Sequence, residues 1–566
     1  MTGVSSFRSI LSRAGSGALA GVLAAFTALG VAELVAGLVR PAASPVTVVG
    51  GAAIDRTPAA VKDFAIRTFG ESDKAVLQLG ILVVLAVAAV ALGLLGLRHR
   101  LYGIAGVLAF GILGAAAALS RPDSTGIGDA LPSVAGACAG ACVLHLLVSA
   151  ATPVPTRADG GSDGSASRWS RRGFLTAAAV TASAATAAAV SGRFLSRRHG
   201  RAALASREGL VLPAPASPAP PVPAGARLPV PGITPFTTPS REFYRVDTAL
   251  SVPRVDAGTW RLLIGGKGVT RPRTHTFDQL LARPLIQRDI TLTCVSNEVG
   301  GPYVGNARWL GVPLADLLRE AGVRPPSQGG EADQLVARST DGMTLGCPVE
   351  DVMDGRDALL AVGMNGEPLP FEHGFPVRML VPGLYGYVGA CKWIAELELT
   401  TFDAYDAYWV RRKWARTAPV KTQARIDTPR PFARPAAGTV TVAGVAWAQR
   451  RGIRRVEVRV DDGPWQEADL AAQDTVDTWR QWSYRWQATP GGHTIAVRAT
   501  DGTGRVQTER RTRTIPDGAS GRHSVFVTVP QTPGPPPRGG SGNTTASRTT
   551  HPTSRITHHS ARSTRP

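Results

Sequence analysis

At 566 residues the chain is too long for one hydrophobic core, so several modules are expected. A net charge of +20 would suit a nucleic-acid binder. The arginines, however, flank apolar runs or crowd an acid-free tail, which fits a membrane surface and speaks against nucleic acid as a partner. Five cysteines, Cys138, Cys142, Cys294, Cys347 and Cys391, form no CxxC pair and no zinc-like quartet, so no disulfide framework is expected.

Residues 1–150 hold four apolar stretches: Gly15–Val39, Ala75–Leu97, Leu101–Leu119 and Leu131–Ala150. Each approaches the ~20 residues that cross a bilayer, which predicts a four-helix transmembrane region. Arg8 and Arg13 precede the first, Arg98 and Arg100 separate the second from the third, and Arg157, Arg168, Arg171 and Arg172 follow the fourth. The positive-inside rule then puts both ends of the bundle in the cytoplasm and the loop Arg40–Lys74 outside. His145 is the one histidine within the spans, too few to hold a b-type haem between facing helices, so no haem is predicted in this chain. Cys138 and Cys142 share one face of the fourth span, where packing by small residues is expected.

A cytoplasmic linker, 151–169, leads to SRRGFL (Ser170–Leu175) and an Ala-rich run to Gly192. Paired arginines, an aromatic and a leucine before a weakly apolar helix resemble a twin-arginine export signal; the plainer reading is a stop-transfer flank. Such signals move folded, cofactor-loaded domains, so the segment after it is expected to be a cofactor enzyme facing outward. Residues 193–233 form a Pro/Ala-rich linker whose Pro213–Pro231 portion is predicted to be extended rather than packed, a spacer between membrane and outer domain.

From 234 to 416 the pattern becomes α+β. Within it, ITLTCVSNEVGG (Ile290–Gly301) starts with strand alternation and places Cys294 where the strand enters a turn closed by Gly300 and Gly301. A thiol there reads either as a ligand to a bound group or as a small buried hydrophobe. Two further segments stand out, Thr238–Asp256 and Met364–Trp393. The second is dense in Gly and Pro turns, with Arg378 and Lys392 at strand ends, a pattern suited to close backbone approach and phosphate neutralisation. Cys347 and Cys391 read as core residues or as flanks of a pocket.

The cysteine turn, FYRVDTAL and NGEPLPxxHGFPVR…PG…G…KW together resemble the molybdopterin-binding domain of the sulfite oxidase family. The resemblance implies a molybdenum–molybdopterin cofactor, with Cys294 as the protein's ligand to the metal and two pterin sulfurs completing a soft donor set. It implies pterin contacts from Tyr244, Thr340, His373, Arg378 and Lys392, and places Arg245 facing the substrate; His373 reads equally as a turn residue bonded to backbone. The pattern departs from the sulfite-oxidising members. Those enzymes follow the cysteine with a Gly-Asn and then an arginine, whereas Cys294 is followed by Val295, Ser296, Asn297, Glu298 and Val299, and Met343 falls where they carry a tyrosine; sulfite is therefore disfavoured and a neutral oxide or another small molecule is expected.

Residues 417–530 switch to short alternating strands with DDG, DG and PGG turns, an Ig-like antiparallel β-sandwich similar to the family's dimerisation domain, which implies a homodimer. Trp447, Trp465, Trp479, Trp482 and Trp486 read as core aromatics, one or two of them alternatively at an interface. The tail 531–566, rich in Pro, Ser, Thr and Arg, is expected to be disordered. The expected whole is a multi-pass, outward-facing molybdenum oxidoreductase that exchanges electrons with a separate cytochrome or quinol partner. Its rivals are sulfite oxidase proper and a metal-free binding module.

Overall fold

The computed structural model describes residues 2–57, 61, 68, 69, 73–121, 123, 124, 126–151 and 171–531. The linker expected at 152–169, Ser170 of the arginine motif and the tail beyond 531 lie outside these residues. The N-terminal region is helical: α1 (Thr2–Val39), α2 (Pro45–Arg56), α3 (Asp73–Arg98), α4 (Arg100–Leu119), α5 (Leu131–Ala151) and α6 (Arg171–Glu208). Five of them, all but the short α2, are long and apolar enough to cross a membrane. Small residues let the backbones close together: a Cβ on Gly21 would lie 2.0 Å from the Ala89 carbonyl, and one on Gly136 2.4 Å from that of Ala28. Cys138 and Cys142 do not share in this packing. They are exposed on the outer side of α5, while Gly136, Ala137, Gly140 and Ala141 of the same helix are buried.

The catalytic stretch builds two sheets from β1 (Arg261–Gly266), β2 (Arg273–Thr276), β3 (Ile286–Thr293), β4 (Val304–Pro313), β5 (Gln334–Ser339), β6 (Thr344–Pro348), β7 (Leu359–Met364), β8 (Glu367–Pro368), β9 (Arg378–Leu380) and β10 (Ile394–Thr400). One sheet runs β2-β1-β10-β5-β6 and the other β3-β4-β7-β8, with β9 on β7. Only β1–β10 pairs in parallel among the described ladders. Both sheets share one apolar core that includes Trp309, Leu262, Phe375 and Leu360. The C-terminal strands, β11 (Gln423–Thr428), β12 (Gly438–Trp447), β13 (Ile453–Val460), β14 (Gln466–Glu467), β15 (Asp469–Leu470), β16 (Arg480–Ala488), β17 (Gly491–Asp501) and β18 (His523–Val529), make two antiparallel four-stranded sheets, β11-β12-β16-β15 and β14-β13-β17-β18. Trp482 and Trp486 fill the core between them. Trp447 and Trp479 belong instead to the catalytic core, where Trp479 donates through Nε1 to the Phe236 carbonyl at 2.8 Å. Trp465 is only partly buried, under the guanidinium groups of Arg459, Arg498 and Arg522.

The expected spacer is not one. Residues 193–208 continue helix α6, and the proline-rich segment after it is extended but packed. Its carbonyls and amides lack partners of their own, and they find them on the exposed edge of β3: Ala216 N–H donates to the Leu285 carbonyl and Gln287 N–H to that of Ser217. Arg207, in the last turn of α6, donates to the carbonyls of Leu369 and Pro368 at 2.8 and 2.9 Å. The catalytic domain is thereby tied closely to the bundle.

Candidate active site

The turn after β3 is built by its own polar groups. Cys294 N–H donates to the Tyr303 carbonyl, Asn297 N–H returns to the Cys294 carbonyl, and the Asn297 side chain accepts from Tyr303 N–H at 2.8 Å. The thiol of Cys294 is buried. Burial pushes its pKa up, and the backbone N–H and hydroxyl of Ser296, with Lys392 nearby, act in the opposite direction. Those same donors would stabilise a metal-bound thiolate. Ser296 escaped the sequence reading; its place two residues after the cysteine, in a polar turn, is the signal that points to it.

Cys294 opens into a cavity of about 360 Å³ whose wall includes Tyr244, His373, Arg378, Lys392, Asp341 and Met343. The HGFPVR turn delivers several of these at once. Gly374 adopts φ +109°, and a Cβ there would sit 3.1 Å from both Arg378 Cβ and Lys392 Cα, so glycine lets the two cationic residues approach the same turn. His373 donates through Nε2 to the Ser240 carbonyl at 2.9 Å and packs edge-on to Phe243. Burial, and then the Arg378 charge, hold it down to about pKa 4, so it is neutral. His373 is thus the backbone-bonded turn residue of one reading, and it also lines the cavity. Arg378 is 6% exposed, lies over the Trp309 ring and donates once to the His373 carbonyl at 3.2 Å. Its Nε has no partner among the described residues, and burial lowers its pKa to about 10. Burial also lowers Lys392 to about 8, against the pull of Asp247, which accepts from Nζ at 2.9 Å.

Two predicted contacts fall elsewhere. Thr340 is exposed and bonded through its backbone to Trp393, while Ser339 and Asp341 on either side of it line the cavity. Arg245 is not among the lining residues; its guanidinium is drawn to Asp247 at 2.8 Å, the carboxylate that also holds Lys392. The Glu298–Val299 pair likewise turns off the wall, which takes Val295 and Ser296 from this loop instead. Cys391 lines the cavity, whereas Cys347 is fully buried in the core.

The oxidoreductase molybdopterin binding domain family matches residues 249–409. Mitochondrial sulfite oxidase of Mus musculus is 31% identical over 290 residues, covering 44% of this chain and 52% of that protein. Residues 249–409 are a molybdopterin-binding oxidoreductase domain, similar to that of the sulfite oxidases. Nitrate reductase [NADH] 1 of Oryza sativa subsp. japonica is 32% identical over 196 residues, 31% of this chain and 21% of the relative. Among solved structures, the sulfane dehydrogenase SoxCD of Paracoccus pantotrophus is 27% identical, with a TM-score of 0.45, over 52% of this chain and 81% of that one. The chain spans about half the length of the animal sulfite oxidases it matches.

The residues present fit the family's molybdenum–molybdopterin cofactor. A phosphate-bearing pterin needs cations with donor capacity to spare, and Arg378, on the cavity wall, makes a single protein hydrogen bond, to the His373 carbonyl. A soft metal needs a thiol that can reach it, and Cys294 lies on the same wall. Tyr244, on that wall too, has its pKa raised by burial and then by Cys294, so its hydroxyl stays protonated and can donate.

Proposed function

We propose that this protein is a membrane-held molybdenum oxidoreductase whose outward-facing domain performs two-electron oxygen-atom transfer on a small uncharged oxide, exchanging electrons with a separate partner. The observation that carries the reading is the convergence of a buried thiol, Cys294, with the unsatisfied buried cation Arg378 on one cavity wall. The bound cofactor would supply the two-electron redox change and the site of oxygen transfer. Around it, Cys294 would hold the metal, supported by the donors of Ser296. Arg378 and Lys392 would neutralise the pterin phosphate, and neutral His373, fixed by its bond to Ser240, would present an acceptor to the pterin.

Oxidation of sulfite is the second reading, supported by the 31% identity to the mouse enzyme. Against it stand Met343 on the cavity wall and a cysteine loop that contributes Val295 and Ser296 rather than a cation. The outward orientation is supported by the arginine distribution: the loop that contains α2 is predicted outside and meets the catalytic domain, through Asp55 and Arg412.

The deciding experiment is metal analysis and X-ray absorption on the full chain, purified from a host that makes the cofactor. About one molybdenum per chain is expected, with sulfur coordination lowered by one in Cys294→Ala. An unchanged sulfur count in that variant would remove Cys294 as the ligand; a wild-type chain free of molybdenum would remove the enzyme reading.

A further inference from the structure

The cavity beside Cys294 is not walled by the catalytic domain alone. Ile54 of α2, Thr57, Val61 and Leu77 of α3 also line it, more than 200 residues before the cysteine. Their position is held by specific contacts. Asp55, next to Ile54, accepts from the Tyr408 hydroxyl and from Arg412, whose guanidinium stacks on the Tyr408 ring at 3.5 Å. Leu250 packs into the space left by Gly50, where a Cβ would lie 2.8 Å from its Cδ2. The neighbour of Tyr408, Trp409, faces the same cavity.

This wall differs chemically from the cofactor end. The charged lining residues, Asp247, Asp341, Arg378 and Lys392, all come from the catalytic domain; among the described residues the bundle adds only Ile54, Thr57, Val61 and Leu77 to the wall, all uncharged. Val61 keeps 52% of its surface exposed, an apolar group uncovered at a cavity edge. A charged ligand moved against such a wall loses hydration and gains no partner, whereas an apolar group gains about 25 cal/mol per Å² buried.

We infer that Ile54, Thr57, Val61 and Leu77 complete the substrate pocket, and that the substrate turns an apolar group toward them. Ile54, Val61 and Leu77 are then specificity-determining residues, and the bundle is part of the active site as well as an anchor. The inference rests on the oxygen-transfer reading above, and the test separates the two. Binding of methyl phenyl sulfoxide and of dimethyl sulfoxide is measured by calorimetry on the oxidised full-length holoenzyme, with no reductant and therefore no turnover. Wild type is expected to bind the phenyl compound roughly tenfold more tightly. Val61→Asp, and to a smaller degree the near-isosteric Val61→Thr, should erase that preference while leaving molybdenum content unchanged. Equal binding of the two compounds by wild type, or an unchanged preference in both variants, overturns the inference while leaving the enzyme reading intact. Absence of molybdenum from wild type would instead fell the enzyme reading first.

Discussion

Two buried charges, one in the catalytic domain and one in the β-sandwich, differ in how far the protein itself satisfies them. Asp501 of the β-sandwich has no exposed side-chain surface, yet its carboxylate accepts from Thr422, Thr503 and Arg451 side chains and from the backbone of Thr503 and Arg505. Burial alone would raise its pKa; the hydrogen bonds win and hold it down to about 2. Arg378 of the catalytic domain is as well buried, but makes one hydrogen bond and keeps an orphaned Nε, and its pKa falls to about 10. A buried charge with every valence filled is architecture. One left short of partners beside a cavity would be stabilised by an anionic ligand.

The contrast is broken or sharpened by three changes. The largest effect is expected from Asp501→Ala, which strands Arg451 and several donors in the sandwich: a loss of about 3–5 kcal/mol by denaturant unfolding of the full chain. A loss under ~0.5 kcal/mol would mean the network is ornamental. Next comes pH, through His523, which accepts from Ile426 N–H with Nδ1 at 3.0 Å. Burial, and then Arg425, lower it to about 4, below the unfolded value. Its contribution is therefore fully present above about pH 6.5 and is lost as pH falls toward 4, by up to about 3 kcal/mol. His523→Gln should flatten that slope; an identical slope would assign the acid sensitivity elsewhere. The smallest effect, of opposite sign, belongs to Arg378→Met. The cofactor-free protein should be unchanged or steadier by about 1 kcal/mol, because an unsatisfied buried cation is gone. Pterin content after expression with the cofactor should nevertheless fall, and a destabilised apoprotein with full pterin content would reverse the roles assigned to the two charges.

Much of the site was legible because rare residue types stand at strand ends. Cys294 follows an alternating strand, and Arg378 and Lys392 bracket a glycine-rich run, so each could be picked out by position. The misplaced contacts have a common cause in geometry. The chain reverses at Ser339–Gly342, where Gly342 N–H donates to the Ser339 carbonyl, and this turn exposes Thr340 at its corner while Ser339 and Asp341 reach the cavity. Arg245 was misjudged because its partner Asp247, two residues on, also answers Lys392 from 145 residues away, a three-way pairing no local pattern announces.

The sequence by itself determined the elements whose signal is local: the apolar helices, the cysteine turn, the alternating strands of the sandwich and the family motifs. Each rests on periodicity or on residue chemistry within a few positions. Only the tertiary structure decided which faces meet. It laid the proline-rich segment along the edge of β3, turned Cys138 and Cys142 outward while glycines packed inward, and set Ile54 and Leu77 of the N-terminal helical region against the pocket of Cys294. Such contacts join surfaces far apart in the chain, and they are chosen by shape and by unsatisfied backbone groups that come together only after each element has formed.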